Sequence, residues 1–295
     1  MTAIGIDIGG TNVKCVVVHA DGTLVDSRSF PTGDATNAWA GTVLDAVAQI
    51  ESSHGRADAI GVSSPGLAAR DGRTIAWMQG RMAGVQGFDW TKHLQRDSLV
   101  PVMNDAHAAL LGEAWIGAAA GGRNVVLLTL GTGVGGAILC DGHILKGHLG
   151  RAGHLGHITL DAAGPLDIVN TPGSLEDAFG DHTIAKRTDG KFQSTADLVN
   201  AARSGDAFAQ DVWSRSIKAL AGGVASIINA VDPEVIVLGG GIVKAGDELF
   251  LPLSRELDRV EWRPTNERVR LVPAKLGDLA GAFGAAKNAL EQMKQ

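Results

Sequence analysis

Two glycine-centred turns, each set between a pair of short apolar runs, constrain this chain more than any other feature. The first follows the run Ala3 to Ile8 and reads Asp7-Ile8-Gly9-Gly10-Thr11-Asn12, with a second run from Val13 to Ala20 and a turn signal at Asp21-Gly22. The second follows Val125 to Leu130 and reads Leu130-Gly131-Thr132-Gly133-Val134-Gly135-Gly136, after which Ala137 to Cys140 continues as strand. Apolar runs joined in this way read as hairpins. No Gly-Lys-Ser/Thr follows the second turn, so it is not a Walker loop. A dinucleotide fingerprint fails as well, because its glycines lead back into strand and open no helix. Two strand-glycine-strand units predict an α/β chain of two mixed halves, the product of a duplication, with a nucleotide between them.

The remaining segments fit that plan. A third strand runs through Phe30, Ala38 to Ile50 has apolar residues at helical spacing, and Ala59 to Val62 is a buried strand closed by Ser63-Ser64-Pro65-Gly66. Pro101 to Asp105 ends another strand and runs into strong helix formers from Ala106 to Ile116, before a break at Gly117 to Gly122. Ser216 to Val231 reads as a long helix, Glu234 to Leu238 as a strand before Gly239-Gly240-Gly241, Val269 to Ala274 as the last strand and Ala280 to Met293 as the last helix.

At 295 residues the chain has room for two lobes. Hydrophobic residues at 45% and charged residues at 20% describe an ordinary globular core, while 40 glycines are a surplus. The formal charge of −6 gives no footprint for nucleic acid or an anionic membrane. The first residues lack the n- and h-regions of a signal peptide and no apolar stretch reaches membrane-spanning length, so a cytoplasmic protein is expected. Cys15 and Cys140, each beside apolar residues, read as buried thiols.

Chemistry concentrates at four places. At the first turn, Gly9, Gly10, Thr11 and Asn12 are candidate nucleotide-binding residues: backbone N–H groups can approach phosphate oxygens, Thr11 adds a hydroxyl, and Asp7 can hold Mg²⁺ directly or through water. At the second, Gly131, Thr132 and Gly133 form a similar cradle. Gly239, Gly240 and Gly241 would let an adenine or ribose lie against backbone, or they form a turn at a helix start. Asn104-Asp105 stands where a strand meets a helix: Asp105 is a candidate base for a hydroxyl attacking a γ-phosphate, and Asn or Asp is equally suited to cap the helix from Ala106.

In order, these segments resemble the ROK family of sugar kinases and repressors, within the hexokinase/actin-like superfamily. The resemblance spans nearly the whole chain. It is carried by Asp7 to Thr11, Ser64-Pro65-Gly66, Asn104-Asp105-Ala106 with Gly112-Glu113, and Leu130 to Gly136. Further along it is carried by Gly153-His154-Leu155-Gly156-His157, Gly173-Ser174-Leu175-Glu176, Asp232-Pro233 before Gly239 to Gly241, and Leu276-Gly277-Asp278. It implies two actin-like, RNase H-like lobes with mixed sheets flanked by helices and a cleft, with 1–110 and 280–295 as the small lobe and 111–279 as the large one. It also implies transfer of phosphate from Mg·ATP to a hexose hydroxyl, usually at C6, with Asp105 as base, Asn104 and Glu176 on sugar hydroxyls, His157 at the sugar and Gly66 as a close-approach wall. The partners it implies are a small sugar and a second copy in a homodimer, with no nucleic acid and no membrane.

Two departures stand out. Family members often hold a structural Zn²⁺ through the Gly-His histidine and a cysteine-rich run, whereas Asp167 to Ser174 contains no cysteine. His143, His148, His154 and His182 restore no recognisable spacing, so no zinc site is expected and Asp167, Asn170 and Pro172 are left to order the loop. His154 stands where sugar-phosphorylating members usually carry Glu at the C1–C2 edge of the hexose. An imidazole offers one donor and one acceptor in place of acceptors alone, so the expected substrate is a substituted hexose, ketose or cyclitol, or glucose with relaxed selectivity. The rival reading is a sugar-binding ROK-type regulator or sensor without turnover. Some relatives use polyphosphate, but no basic channel is evident and ATP is the expected donor.

Overall fold

The computed structural model describes residues 1–33, 38–78 and 82–294. The chain forms two compact units, one of Met1–Gly121, His143–Ala152 and Lys275–Gln295, the other of Gly122–Gly142 and Gly153–Ala274.

In the first unit, β1 (Thr2–Ile8) pairs antiparallel with β2 (Asn12–His19), which pairs antiparallel with β3 (Leu24–Pro31). On the other side of β1, β4 (Ala59–Ser64) and β7 (Val102–Asn104) add in parallel, giving the order β3-β2-β1-β4-β7. The strand period of two divides β1 between two cores. Ile4, Ile6 and Ile8 face Trp39, Val43, Val47 and Ile50 of α1 (Ala38–His54), whereas Ala3 with Val16 and Val18 joins Ala282, Phe283 and Ala286 of α9 (Ala280–Gln292). Each fully buried Ile or Phe contributes about 1.5–3 kcal/mol by leaving water. The unit also contains a two-stranded pair, β5 (Leu67–Ala68) with β6 (Ile75–Trp77), and α2 (Trp90–His93), α3 (Asp105–Trp115) and β10 (His143–Ile144).

The second unit repeats the arrangement. β8 (Val125–Leu130) pairs antiparallel with β9 (Val134–Cys140), β11 (Val235–Gly239) lies parallel to β8, and β12 (Arg270–Pro273) lies parallel to β11. The run β9-β8-β11-β12 thus matches β2-β1-β4-β7 in order and direction, as a duplication would leave it. Its core packs Val126, Leu128, Ile236 and Leu238 against Leu220, Val224 and Ile228 of α7 (Ala207–Val231). Around it lie α4 (Leu175–Phe179), α5 (Ile184–Arg187), α6 (Thr195–Arg203) and α8 (Asp247–Val260).

Some local expectations need correcting. α7 begins at Ala207 and not at Ser216, because Asp206 caps it by accepting from the Ala209 amide at 2.9 Å and Ala209, Val212 and Trp213 of the first turns already pack into the core. Cys15 is buried, but Cys140 ends β9 and is exposed. Among the described residues no helix is long and apolar enough to cross a membrane.

Candidate functional site

The first unit gathers Asp7, Ser63, Gly66, Asn104 and Asp105 along the ends of neighbouring strands. Asp7 is at the end of β1, and its Oδ1 accepts from the Ser63 hydroxyl of β4 at 2.6 Å. Burial pushes the Asp7 carboxyl up to about 6, against the opposing Ser63 hydrogen bond; the negative charge of Asp105 adds to the rise and Lys14 opposes it. The turn that follows is closed by the Gly9 amide donating to the Asn12 carbonyl at 3.0 Å, and the Thr32 hydroxyl donates to the Gly9 carbonyl at 2.7 Å. The Gly9 amide therefore shapes the turn, which leaves Gly10 and Thr11, both exposed, as the positions able to meet a phosphate.

Of the two readings of Asn104-Asp105, the structure speaks to the cap. Asn104 is the cap: its buried Oδ1 accepts from the Ala106 and His107 amides at 3.0 and 3.3 Å. Its Nδ2 donates to the Gly66 carbonyl at 3.0 Å, which uses one of two N–H bonds. Asp105 is the first residue of α3 and is exposed, with Oδ1 accepting from the Ala106 amide at 2.8 Å.

In the second unit the glycine turn is bound to a segment far away in sequence. The Gly131 carbonyl accepts from the Asp181 amide and the Thr132 carbonyl from the His182 amide, both at 2.9 Å, while His182 Nδ1 lies 2.8 Å from the same Thr132 oxygen. In a trans peptide C=O and N–H point oppositely, so the Thr132 and Gly133 amides face away from this anchor. The anchor is itself held by Arg187, which donates to the Phe179 and Gly180 carbonyls and to the Thr183 and Ser216 hydroxyls. Burial lowers the Arg187 pKa to about 10, with Asp181 and Asp177 opposing the fall. Glu176, on the first turn of α4, accepts from the Val134 amide at 2.9 Å and fills the space a Gly133 side chain would need.

A cavity of about 390 Å³ lies within this unit, lined by Thr132, Asp181, Thr195, Arg203, Gly241 and Lys244 among others. Gly240 takes φ +89°, and a side chain there would collide with the Leu130 carbonyl, so β11 can turn into Gly241–Ala245 only through glycine. The buried Thr195 Oγ1 has no hydrogen-bond partner among the described residues. A polar-edged cavity between a glycine turn and a second glycine cluster, with an orphan hydroxyl, fits a nucleoside phosphate. The α6 residues on its wall carry no motif and escape a reading by sequence pattern.

His154 precedes the short helical turn Leu155–His157 and is half-buried. His157 Nδ1 lies 2.8 Å from Asp167 Oδ2, and the other Asp167 oxygen accepts from the Val169 and Thr171 amides at 2.9 and 2.8 Å. Burial raises the Asp167 pKa, but the hydrogen bonds from Thr171, His157, Val169 and Ser174 outweigh it and hold the carboxyl down to about 2. As an ionised acceptor, Asp167 takes a hydrogen bond from His157 Nδ1–H and so fixes the orientation of the ring. Among the described residues no group of three or more His, Cys, Asp or Glu could hold a metal ion.

Residues 3–292 match the sequence profile of the ROK family. The chain belongs to the ROK family. Among sequence relatives, it is 32% identical to the glucokinase of Halalkalibacterium halodurans, over 95% of this chain and 92% of that one. It is 31% identical to the N-acetylmannosamine kinase of Shigella boydii serotype 18, over 97% of each. Among solved structures, the ROK hexokinase from Thermus thermophilus superposes with a TM-score of 0.86 at 30% identity, over 100% of this chain and 99% of that one. The ROK family glucokinase from Streptomyces griseus, in complex with glucose and AMPPNP, superposes with a TM-score of 0.77 at 25% identity, over 99% of this chain and 100% of that one. The fold is the α/β, actin-like fold of these ROK kinases. In this ROK protein the loop that lacks cysteines is ordered by one buried carboxylate, Asp167, together with the positive-φ turn at Asn170.

Proposed function

We propose that this chain is an ATP-dependent sugar kinase that moves the γ-phosphate to a hydroxyl, the 6-hydroxyl, of a hexose or hexose-like polyol. The observation that carries the reading is Asp105: an exposed carboxylate at the end of a buried strand, on a helix whose cap its neighbour Asn104 already provides. Such a group suits the role of accepting the proton of an attacking hydroxyl. Phosphoryl transfer otherwise needs positioning and charge stabilisation. The amides of Gly10, Thr11, Thr132 and Gly133 suit phosphate oxygens, and the cavity at Thr195 and Gly241 suits the nucleoside. Asp7 would hold Mg²⁺, which when bound neutralises the charge on the phosphate oxygens. The AMPPNP and glucose bound by the Streptomyces griseus relative support the same pairing of substrates.

Glu176, Asn104 and the Nε2 of His157 are the proposed partners of the sugar hydroxyls, with Gly66 behind them and His154 at the edge usually held by Glu. His154 makes a substituted hexose, ketose or cyclitol the proposed acceptor, and the likeness to an N-acetylmannosamine kinase favours substitution at C2. The two compact units serve as the lobes, and a homodimer in the cytoplasm is the proposed setting.

The test is ADP release with Mg·ATP over a panel of hexoses, amino and N-acyl sugars, ketoses and cyclitols, with product positions assigned by phosphorus NMR. Turnover on a substituted sugar above that on glucose is expected. Strong selectivity for plain glucose would overturn the role given to His154, and no turnover on any acceptor would overturn the kinase.

A further inference from the structure

Glu113 is fully buried near the end of α3, far along the helix from Asp105, and has no part in the chemistry above. Its Oε1 accepts from the Leu276 and Lys275 amides at 2.8 and 2.9 Å, and its Oε2 accepts from the Ala118 amide at 2.6 Å. A buried carboxylate that collects backbone N–H groups from three residues makes charge-assisted bonds that neither water nor an apolar side chain can replace. Lys275 and Leu276 lie just before α9, so one side chain ties the end of α3 to the approach to α9.

The same two helices touch elsewhere with almost no separation. A side chain at Gly112 would meet the Ala280 carbonyl, and one at Gly284 would collide with the Ala108 carbonyl. A side chain at Gly281, in the first turn of α9, would strike the Asp7 carboxylate at 2.7 Å. α3 thus presents Asp105 at its first residue, and α9 abuts Asp7 at its own first turn. The two helices therefore border both carboxylates.

We infer that Glu113 is a positioning residue for phosphoryl transfer: by fixing the approach to α9 against the end of α3, it sets the placement of Asp105 relative to Asp7. The inference rests on the kinase reading, which gives those two aspartates their roles. Gly117 belongs to the same device, since any side chain there would fall on the Glu113 carboxylate.

The experiment compares wild type with Glu113→Gln and Glu113→Asp, measuring KM for both substrates, kcat per folded molecule and amide hydrogen exchange of the sugar- and nucleotide-free protein. In Glu113→Gln, exchange at Lys275 and Leu276 should rise and kcat should fall by about tenfold or more, with both KM values held within about twofold. Glu113→Asp, which keeps the charge, should recover part of kcat. Wild-type kcat per folded molecule in Glu113→Gln, or a loss that follows only the folded fraction, would overturn the inference while leaving the kinase intact. Absence of turnover in the wild type would overturn both. If Glu113→Gln does not fold, Gly117→Ala, which presses a methyl group on the same carboxylate, is measured by the same criteria.

Discussion

Gly133 is a glycine because Glu176 occupies the place of its side chain. The Glu176 carboxylate reaches across to the second glycine turn, accepts from the Val134 amide at 2.9 Å and lies against Gly133. A residue expected at a phosphate and a residue expected at a sugar are therefore one packed unit, and the absent side chain serves the carboxylate as well as any approaching phosphate.

Gly133→Ala should displace Glu176 without unfolding the protein. The expected result is a fall in kcat/KM for the sugar of about tenfold or more, with the melting temperature little changed, measured by steady-state kinetics and calorimetry. Wild-type kcat/KM in the folded variant would show that Glu176 has no bearing on catalysis.

Asp167 gives a pH signature. Its pKa is held down to about 2 from an ordinary 3.8, so its stabilisation is present in full above the ordinary value and is lost as pH falls through the lower one. Urea unfolding should find wild type more stable than Asp167→Asn at about pH 6, and the gap should narrow steadily at about pH 3 and below. A gap independent of pH would mean that the carboxylate charge does not hold the His157 loop.

Thr195→Val should act with opposite signs in two measurements. Removing a buried hydroxyl that lacks a partner stabilises the nucleotide-free protein slightly, while loss of a hydrogen bond to a bound nucleotide raises its Kd by about 0.5–1.5 kcal/mol equivalent, several-fold. Calorimetric titration with a non-hydrolysable ATP analogue checks the second effect, and an unchanged Kd would remove Thr195 from the nucleotide site.

Much of the frame is legible in the sequence because it is local. The glycine turns and their apolar flanks determine β1–β2 and β8–β9, and the strand-to-helix junction at Asn104-Asp105 shows in five or six residues. The division of labour there was not legible, since Asn and Asp are equally good caps and only the position of α3 assigns the cap to Asn104. The anchor of Gly131-Thr132 on 181–182 joins residues 50 apart largely through backbone groups, which leave no pattern in side-chain types, and the Arg187 brace and the α6 wall carry no motif either. The start of α7 at Ala207, by contrast, is legible, since Ala209, Val212, Trp213 and Ile217 keep helical spacing behind the Asp206 cap.

The most direct test of the central claim is single-turnover kinetics of Asp105→Asn with Mg·ATP and the best acceptor from the panel, alongside equilibrium binding of both substrates. The account predicts a rate lower by about 10²–10⁴-fold, with sugar and nucleotide binding essentially retained, because the lost group acts on the proton in the transition state. An Asp105→Asn protein that transfers phosphate at more than about a tenth of the wild-type rate would contradict it.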